Sequence, residues 1–173
     1  MLVRRTALDR IGGIASIRGE LIDDCALARA VKRGGPIWLG LTRSTRSLRR
    51  YARLGGIWHM VTRTAYTQLQ HSFLLLVGGV SAMVVTYLAP PIAVIYGVVF
   101  GAGWLAIAAA FAWLLMLIAY VPTLRLYRLP ALLGLMLPVA ALFYTLMTID
   151  SARRHWQGRG GAWKARHCAP PNS

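Results

Sequence analysis

The chain is short of acidic residues and of cysteine. Its 173 residues include 5 Asp and Glu, 20 Lys and Arg, and 2 Cys. So few acids leave few candidates for general-base or metal chemistry, and two cysteines do not indicate a disulfide framework. Charged residues make up 14% of the chain, against about 25% in soluble domains. A hydrophobic content of 57% excludes a disordered chain, which would need low hydrophobicity.

Two stretches contain no charged residue at all. Residues 72–124 form a run of 53, and residues 129–149 form a run of 21. A helix needs about 20 apolar residues to cross a bilayer. The composition therefore predicts a mainly α-helical integral membrane protein whose first partner is the lipid bilayer. Nucleic acid is excluded as a partner, because the arginines cluster beside the apolar runs.

The apolar runs divide into about three transmembrane helices at their prolines. We expect the first at 73–89, ended by Pro90-Pro91, and the second at 101–121, followed by Pro122. The third is expected at 129–149, with a kink at Pro138. Small residues allow close packing of such helices, and the candidates are Gly78, Gly79, Gly97, Gly101 and Gly103.

Basic residues beside the spans predict an orientation but leave it incomplete. Residues 1–70 carry 13 Lys and Arg, the first connection carries none, and the second carries Arg125 and Arg128. The positive-inside rule then places the amino terminus inside, the first connection outside and the second inside. Three full spans would put the tail outside although it holds five Lys and Arg. Either the tail is an exception, or one segment does not cross fully.

Four regions follow from the sequence: a part with soluble character at 1–50, an amphipathic helix at 51–71, membrane segments at 72–150 and a basic tail at 151–173. The amphipathic region has apolar and polar faces at the helical period, which predicts a helix at the membrane interface, interrupted at Gly55-Gly56. Before it, we expect a helix up to residue 11, a break at Gly12-Gly13, a helix from Asp23-Asp24 to Arg33, and a strand at 36–41. Arginines 43, 46, 49, 50 and 53 have the spacing of one helical face.

Few side chains are candidates for chemistry. Asp23 and Asp24 form a carboxylate pair that could act as a base or bind a metal, or could simply favour the start of a helix. Asp150 is followed by Arg153 and Arg154, a spacing that predicts an ion pair at a helix end. The four histidines show no metal-ligand spacing.

The order of these features resembles a known enzyme family. The runs MLVRRTALDRIGGI and LIDDCALARAVKRGGPIWLGLT resemble the carboxy-terminal end of a family 2 glycosyltransferase catalytic domain, with the acid pair at Asp23-Asp24 and a leucine at Leu27. The continuation is similar to the hopene-associated glycosyltransferases of bacterial hopanoid biosynthesis. It runs through RSLRRYARLGGIWHMVTRTAYTQLQHS, AYVPTLRLYRL and MTIDSARRHWQGRGGAWKAR.

The resemblance implies transfer of a sugar from a nucleotide sugar to a lipid acceptor. It implies a GT-A type α/β catalytic part on the cytoplasmic face of a bacterial inner membrane, anchored by multiple spans. By position, Asp24 matches the catalytic base and Asp23 supports it, while Trp58 and Arg63 match substrate-binding residues of the interface helix. Processive members have Gln-x-x-Arg-Trp there, and Met60 and Thr64 depart from it, which favours a single transfer.

The family's nucleotide-binding strands and its Asp-x-Asp metal motif precede the matched region, and no Asp-x-Asp occurs in this sequence. We therefore expect the chain to be a carboxy-terminal fragment that is inactive alone and holds no cofactor. A full-length enzyme would use Mg²⁺ or Mn²⁺. The alternative is a small membrane scaffold or anchor without catalysis. Asp23-Asp24 and the strand expected after them favour the enzyme, because an anchor has no use for them.

Overall fold

The computed structural model describes residues 1–20, 22–44 and 53–159, with the backbone of 162–163 and 166–167. This part of the chain is mainly helical, and the chain divides into two compact units, Met1–Thr45 with Gly161–Ser173 and Arg46–Gly160. The α-helices are α1 (Arg5–Arg10), α2 (Asp23–Lys32), α3 (Leu54–Gln68), α4 (Phe73–Met83), α5 (Ala89–Val99), α6 (Gly103–Leu126) and α7 (Leu137–Trp156).

The first unit is built on α1, α2 and a short 3-10 helix, Ile14–Ile17. The expected break after α1 is confirmed, because Gly12 and Gly13 have φ of +81° and +76°, which residues with a side chain rarely adopt. The guanidinium of Arg10 donates a hydrogen bond to the carbonyl of Gly34, which ties α1 to the end of α2.

The prediction of a strand at 36–41 is wrong. These residues form no strand, and their side chains are exposed, Trp38 to 86%. A strand needs a neighbouring strand to satisfy its backbone N–H and C=O groups. In the described residues the strands are β1 (Ala162–Trp163) and β2 (Arg166–His167), each of two residues, and they pair with each other rather than with residues 36–41. The expected arginine face at 43–53 falls largely on residues 45–52, outside the described residues.

The region expected to be amphipathic contains the helix α3, which begins at Leu54. Gly55 and Gly56, expected to interrupt the helix, lie in its first turn, where fewer intrahelical bonds depend on them. Val61, Thr62 and Tyr66 are its buried residues. Their spacing of one and four residues places them along one stripe of the helix.

Among the described residues, three segments are long and apolar enough to cross a membrane: Phe73–Val99, Gly103–Leu126 and Ala131–Trp156. By length and composition, the number of candidate spans agrees with the number expected from the sequence. Only 6% of the apolar window is buried in each of the first two, and 28% in the third. The chain itself therefore covers little of these surfaces, as expected for helices surrounded by lipid.

The first segment does not end at Pro90-Pro91, and the expectation of an end there is wrong. It continues from α4 through a π-helical turn, Val84–Leu88, into α5. A proline removes one N–H donor and collides with the carbonyl four residues earlier. Those carbonyls belong to Thr86 and Tyr87, inside the π-turn, whose wider spacing of bonds accommodates the rings.

The positions of Pro122 and Pro138 within the helices also differ from those expected. Pro122 lies inside α6, which continues to Leu126. Pro138 does not kink a helix from within but lies in the first turn of α7, where its missing N–H leaves no bond unmade. The six residues before α7, Ala131–Met136, form a 3-10 helix.

Two groups of packed helices organise the second unit. α5 packs on α6, while α3, α4 and the π-turn pack on α7. Of the glycines expected at close contacts, Gly97 is confirmed, because a Cβ there would lie 2.7 Å from the Ala106 nitrogen. A Cβ at the other four would meet nothing within 4 Å, so they do not mediate packing within the described part of the chain: Gly78, Gly79, Gly101 and Gly103.

Candidate functional site

The two acids singled out by the sequence lie in the first turn of α2. Ile22 is the N-cap residue, with no side-chain capping bond. The N–H of Asp24 donates to Asp23 Oδ1 at 3.0 Å, and the N–H of Cys25 donates to Asp24 Oδ1 at 2.8 Å. Carboxylates at this end of a helix also suit its dipole. Both side chains are exposed, so they serve the start of the helix and stay accessible to solvent.

A shallow cleft of about 390 Å³ lies in the same unit, but the acid pair does not line it. Its lining residues include Arg10 and Arg33, with Ser16 and Ala30. Asp24 precedes Ala30 by six residues, which is about 9 Å along a helix. The carboxylate expected to be the base therefore lies outside the cleft formed by the described residues of this unit.

Partial desolvation and the neighbouring Asp24 carboxylate raise the pKa of the Cys25 thiol.

Trp58, expected to contact a substrate, donates its indole N–H to a carboxylate of the same chain. The Trp58 Nε1 to Asp150 Oδ2 distance is 2.8 Å, and Arg154 Nε donates to the same oxygen at 2.9 Å. The Asp150 side chain is 20% exposed. Charge-assisted bonds of this kind are stronger than neutral ones. Trp58 thus fastens α3 to α7, and a ligand could use only the ring.

Arg63, the second residue expected to contact a substrate, is half-buried, and its Nε is shielded from solvent. It follows Trp58 by five residues, which is about 140° around a helix. The two side chains therefore do not share a face of α3. They also belong to the second unit, whereas Asp23 and Asp24 belong to the first.

A second cluster joins the end of α3 to the end of α7 around Tyr66. The Tyr66 N–H donates to Ser151 Oγ at 3.0 Å, and its hydroxyl donates to the His71 carbonyl at 2.8 Å. The rings of His71 and His155 stack with centroids 4.3 Å apart. Trp156 meets the Tyr66 ring edge to face at 5.9 Å. Burial and the nearby His155 lower the pKa of His71.

Sequence reasoning found half of the Asp150 network. The ion pair with Arg154 is confirmed, as the spacing of four residues predicted. The bond from Trp58 was missed, because the two residues are 92 positions apart. One signal pointed to it: an acid that directly follows an apolar run is costly without partners, which marks it as a residue to be paired.

In the described part of the chain, no three His, Cys, Asp or Glu side chains come together in a group that could hold a metal ion. The adjacent carboxylates of Asp23 and Asp24 alone fall short of the ligand number that Mg²⁺ or Mn²⁺ takes. The described residues therefore do not fit the metal implied for a full-length glycosyltransferase.

Comparison of the chain with models of protein families, with curated proteins and with solved structures finds no match. The structure by itself supports a membrane protein, with three apolar helices and a docked amphipathic helix ahead of them.

Proposed function

We propose that the chain is part of a membrane-bound family 2 glycosyltransferase that moves a sugar from a nucleotide sugar to a lipid acceptor. The observation that carries the proposal is the exposed carboxylate of Asp24 in the first turn of α2. It lies at the position that the resemblance assigns to the base, in a chain whose remaining length supplies membrane segments. A hopanoid-related acceptor and a bacterial inner membrane belong to the same proposal.

The chemistry asked of Asp24 is a proton transfer. The acceptor hydroxyl oxygen forms a bond to the anomeric carbon, and the bond from that carbon to the nucleotide phosphate breaks. The electron pair leaves with the nucleoside diphosphate, and the hydroxyl proton passes to a carboxylate oxygen of Asp24. Its Oδ1 accepts the N–H of Cys25, which holds the carboxylate at the helix start. Asp23 is proposed to orient this group.

The membrane unit is proposed to present the lipid acceptor. Trp58 and Tyr66 fasten α3 to the end of α7 through Asp150 and Ser151. A helix fixed at the membrane interface is proposed to set the depth at which a lipid hydroxyl is presented. Arg63, on a different side of α3, is proposed to contact the diphosphate, because guanidinium groups recognise phosphate oxygens well.

The decisive experiment changes Asp24 to Asn at the chromosomal locus, so that the natural gene product is tested whatever its length. Membranes are incubated with a panel of radiolabelled nucleotide sugars and Mn²⁺, and label in extracted lipid is counted. We expect Asp24→Asn to reduce transfer about 100-fold or more, the scale of a lost general base. Asp23→Asn should cost less.

Asp9→Asn is the matched control, since Asp9 is an exposed acid on α1 in the same unit. It should leave transfer unchanged. Asn keeps the size of Asp and is accepted at helix starts, so protein abundance should not change. If Asp24→Asn transfers sugar like the wild type, Asp24 is only a helix-start residue, and the non-catalytic anchor becomes the better explanation.

A further inference from the structure

The amino-terminal end of the first membrane segment lies against the carboxy-terminal end of the last one. Phe73 begins the first segment and Trp156 ends the third, and their ring centroids are 6.3 Å apart. Just outside them, the imidazoles of His71 and His155 stack at 4.3 Å. The start of the membrane region and its end are therefore side by side.

This contact lies at one end of an antiparallel pair of helices, α4 and α7. Leu76 packs with Ala152 in one buried cluster, and further along, Thr145 Oγ1 lies 3.5 Å from Met83 Sδ. As residue numbers rise along α4 they fall along α7. The two helices therefore start and finish at a common face of the membrane.

The amphipathic helix α3 marks that face. Trp58 and Tyr66 are eight residues apart, about 12 Å along the helix, yet they bond to the neighbouring residues Asp150 and Ser151. These two bonds and the packing of α3 on α7 hold α3 at the end of the last membrane segment. An amphipathic helix beside the end of a span is typical of a lipid–water interface.

The hydrocarbon core is about 30 Å thick, so an odd number of full crossings would put the two ends at least that far apart. Ends within 6.3 Å require an even number. Three segments are long enough to cross. One of them must therefore enter and leave by the same face.

The charges indicate which segment this is. The first connection, residues 100–102, has no charge, whereas the second carries Arg125 and Arg128. The positive-inside rule places the first connection outside and the second on the side of the amino-terminal cations. Ala131–Trp156 then starts and finishes on that side. Its α-helical portion free of charge, residues 137–149, is about 20 Å long, less than the core.

We propose that the membrane region makes two full crossings, and that Ala131–Trp156 is a re-entrant segment. Its entry through the 3-10 helix Ala131–Met136 and its exit through α7 are on one face, together with α3. The described cations that border this segment, Arg125, Arg128, Arg153 and Arg154, then lie at that face. This inference is independent of the proposed enzymatic activity.

The two native cysteines provide the test. Cys168→Ser leaves Cys25 as the reporter of the amino-terminal part, and Cys25→Ser leaves Cys168 in the tail. In the background lacking both, Ala102→Cys and Tyr127→Cys report the two connections. Spheroplasts and inverted vesicles of expressing cells are treated with a membrane-impermeant maleimide at pH about 8, because the exposed Cys25 thiol has a raised pKa and the thiolate is the reactive form.

We expect Cys25, Cys168 and Tyr127→Cys to be labelled in inverted vesicles and not in spheroplasts, with the reverse for Ala102→Cys. Labelling of each variant after detergent solubilisation gives the total reactive thiol, and Tm shows that it is folded. Labelling of Cys168 and Cys25 from opposite sides would establish three crossings and overturn the inference. Labelling of Tyr127→Cys on the side of Ala102→Cys would show that another segment re-enters, and would equally overturn it.

Discussion

The Asp150 carboxylate joins two helices that are far apart in the sequence. It accepts the indole N–H of Trp58 and the guanidinium of Arg154 on one oxygen. At the end of an apolar segment, a carboxylate without partners would be costly. Its spacing to Arg154 predicts the ion pair from the sequence. Its bond to Trp58 could not be predicted, because local patterns carry no information on which distant helix packs alongside.

Trp58→Phe should weaken the docking of α3, because the ring is kept while the donor is lost. A bond to a charged group contributes about 1.5–3 kcal/mol, and the partly exposed carboxylate sets the expectation at the lower end. We expect the Tm of the detergent-solubilised protein to fall by about 3–6 °C. Trp104→Phe is the matched control, since Trp104 is 76% exposed in the same unit. An equal Tm for both variants would show that the Trp58 bond does not stabilise the fold.

The stacked pair of His71 and His155 predicts a dependence of stability on pH. Burial and His155 lower the pKa of His71 below its ordinary 6.5, so near that pH the unfolded chain binds more protons than the folded one. Unfolding free energy must then rise with pH across this window and fall on acidification through 6.5. Tm measured at pH 7.5 and at pH 5.5 should be lower at the acidic value.

Two substitutions, one as the test and one as its matched control, identify the source of this pH dependence. His71→Gln should reduce the fall in Tm on acidification, because it removes the group whose protonation the folded state resists. His59→Gln should not, since His59 is exposed on α3. A pH profile identical in the wild type and His71→Gln would exclude His71 as the source.

At the level of helices, the sequence predicted which segments are apolar but not where they end. The prolines predict helix ends, yet the first segment continues through Pro90-Pro91 and the second through Pro122. In a membrane, backbone groups freed by a proline have no water to bind, so the helix adjusts its own bonding instead. The π-turn Val84–Leu88 is such an adjustment. Composition does not encode it.

Gly97→Ala should disrupt the pairing of α5 and α6. The added Cβ would lie 2.7 Å from the Ala106 nitrogen and 2.9 Å from the Ala102 carbonyl oxygen, which are backbone atoms that cannot rotate away. Overpacking of this kind costs about 1–3 kcal/mol. Gly79→Ala is the control, because nothing lies within 4 Å of its Cβ position. Both are measured by Tm in detergent; equal values would argue against close packing at Gly97.

For the whole molecule, the sequence predicted the membrane region and the helix ahead of it, but the α/β catalytic layer that it also predicted is not shown by the described residues. The strand at 36–41 was expected from a short apolar run, and such a run forms a strand only beside a partner. Asp23 and Asp24 lie in one unit, and Trp58 and Arg63 in the other. Sequence order alone does not bring these residues together.

The isolated chain should not bind nucleotide sugars measurably. It has no Asp-x-Asp, and its described residues hold no cluster for the metal that stabilises a diphosphate in such enzymes. Calorimetric titration of the solubilised chain with nucleotide sugars and Mn²⁺ should give no saturable heat. A dissociation constant in the micromolar range, about −8 kcal/mol, would show that the chain contains a donor site of its own.

The exposed apolar surface of the membrane segments predicts how the protein behaves when membranes are washed. Large side chains such as Leu74, Trp104 and Leu132 are 75–81% exposed along the three segments. Each Å² of apolar surface left in water costs about 25 cal/mol, so these faces must lie in lipid. Insertion of a membrane-spanning helix is effectively irreversible, so two full crossings are enough to hold the protein in the bilayer. We expect the protein to stay in the membrane pellet through washing with alkaline carbonate, which strips peripheral proteins, and to require detergent for release. A peripheral and an integral protein of the same cells serve as references in each wash. Recovery in the supernatant with the peripheral reference would refute membrane integration, and the topology inferred above with it.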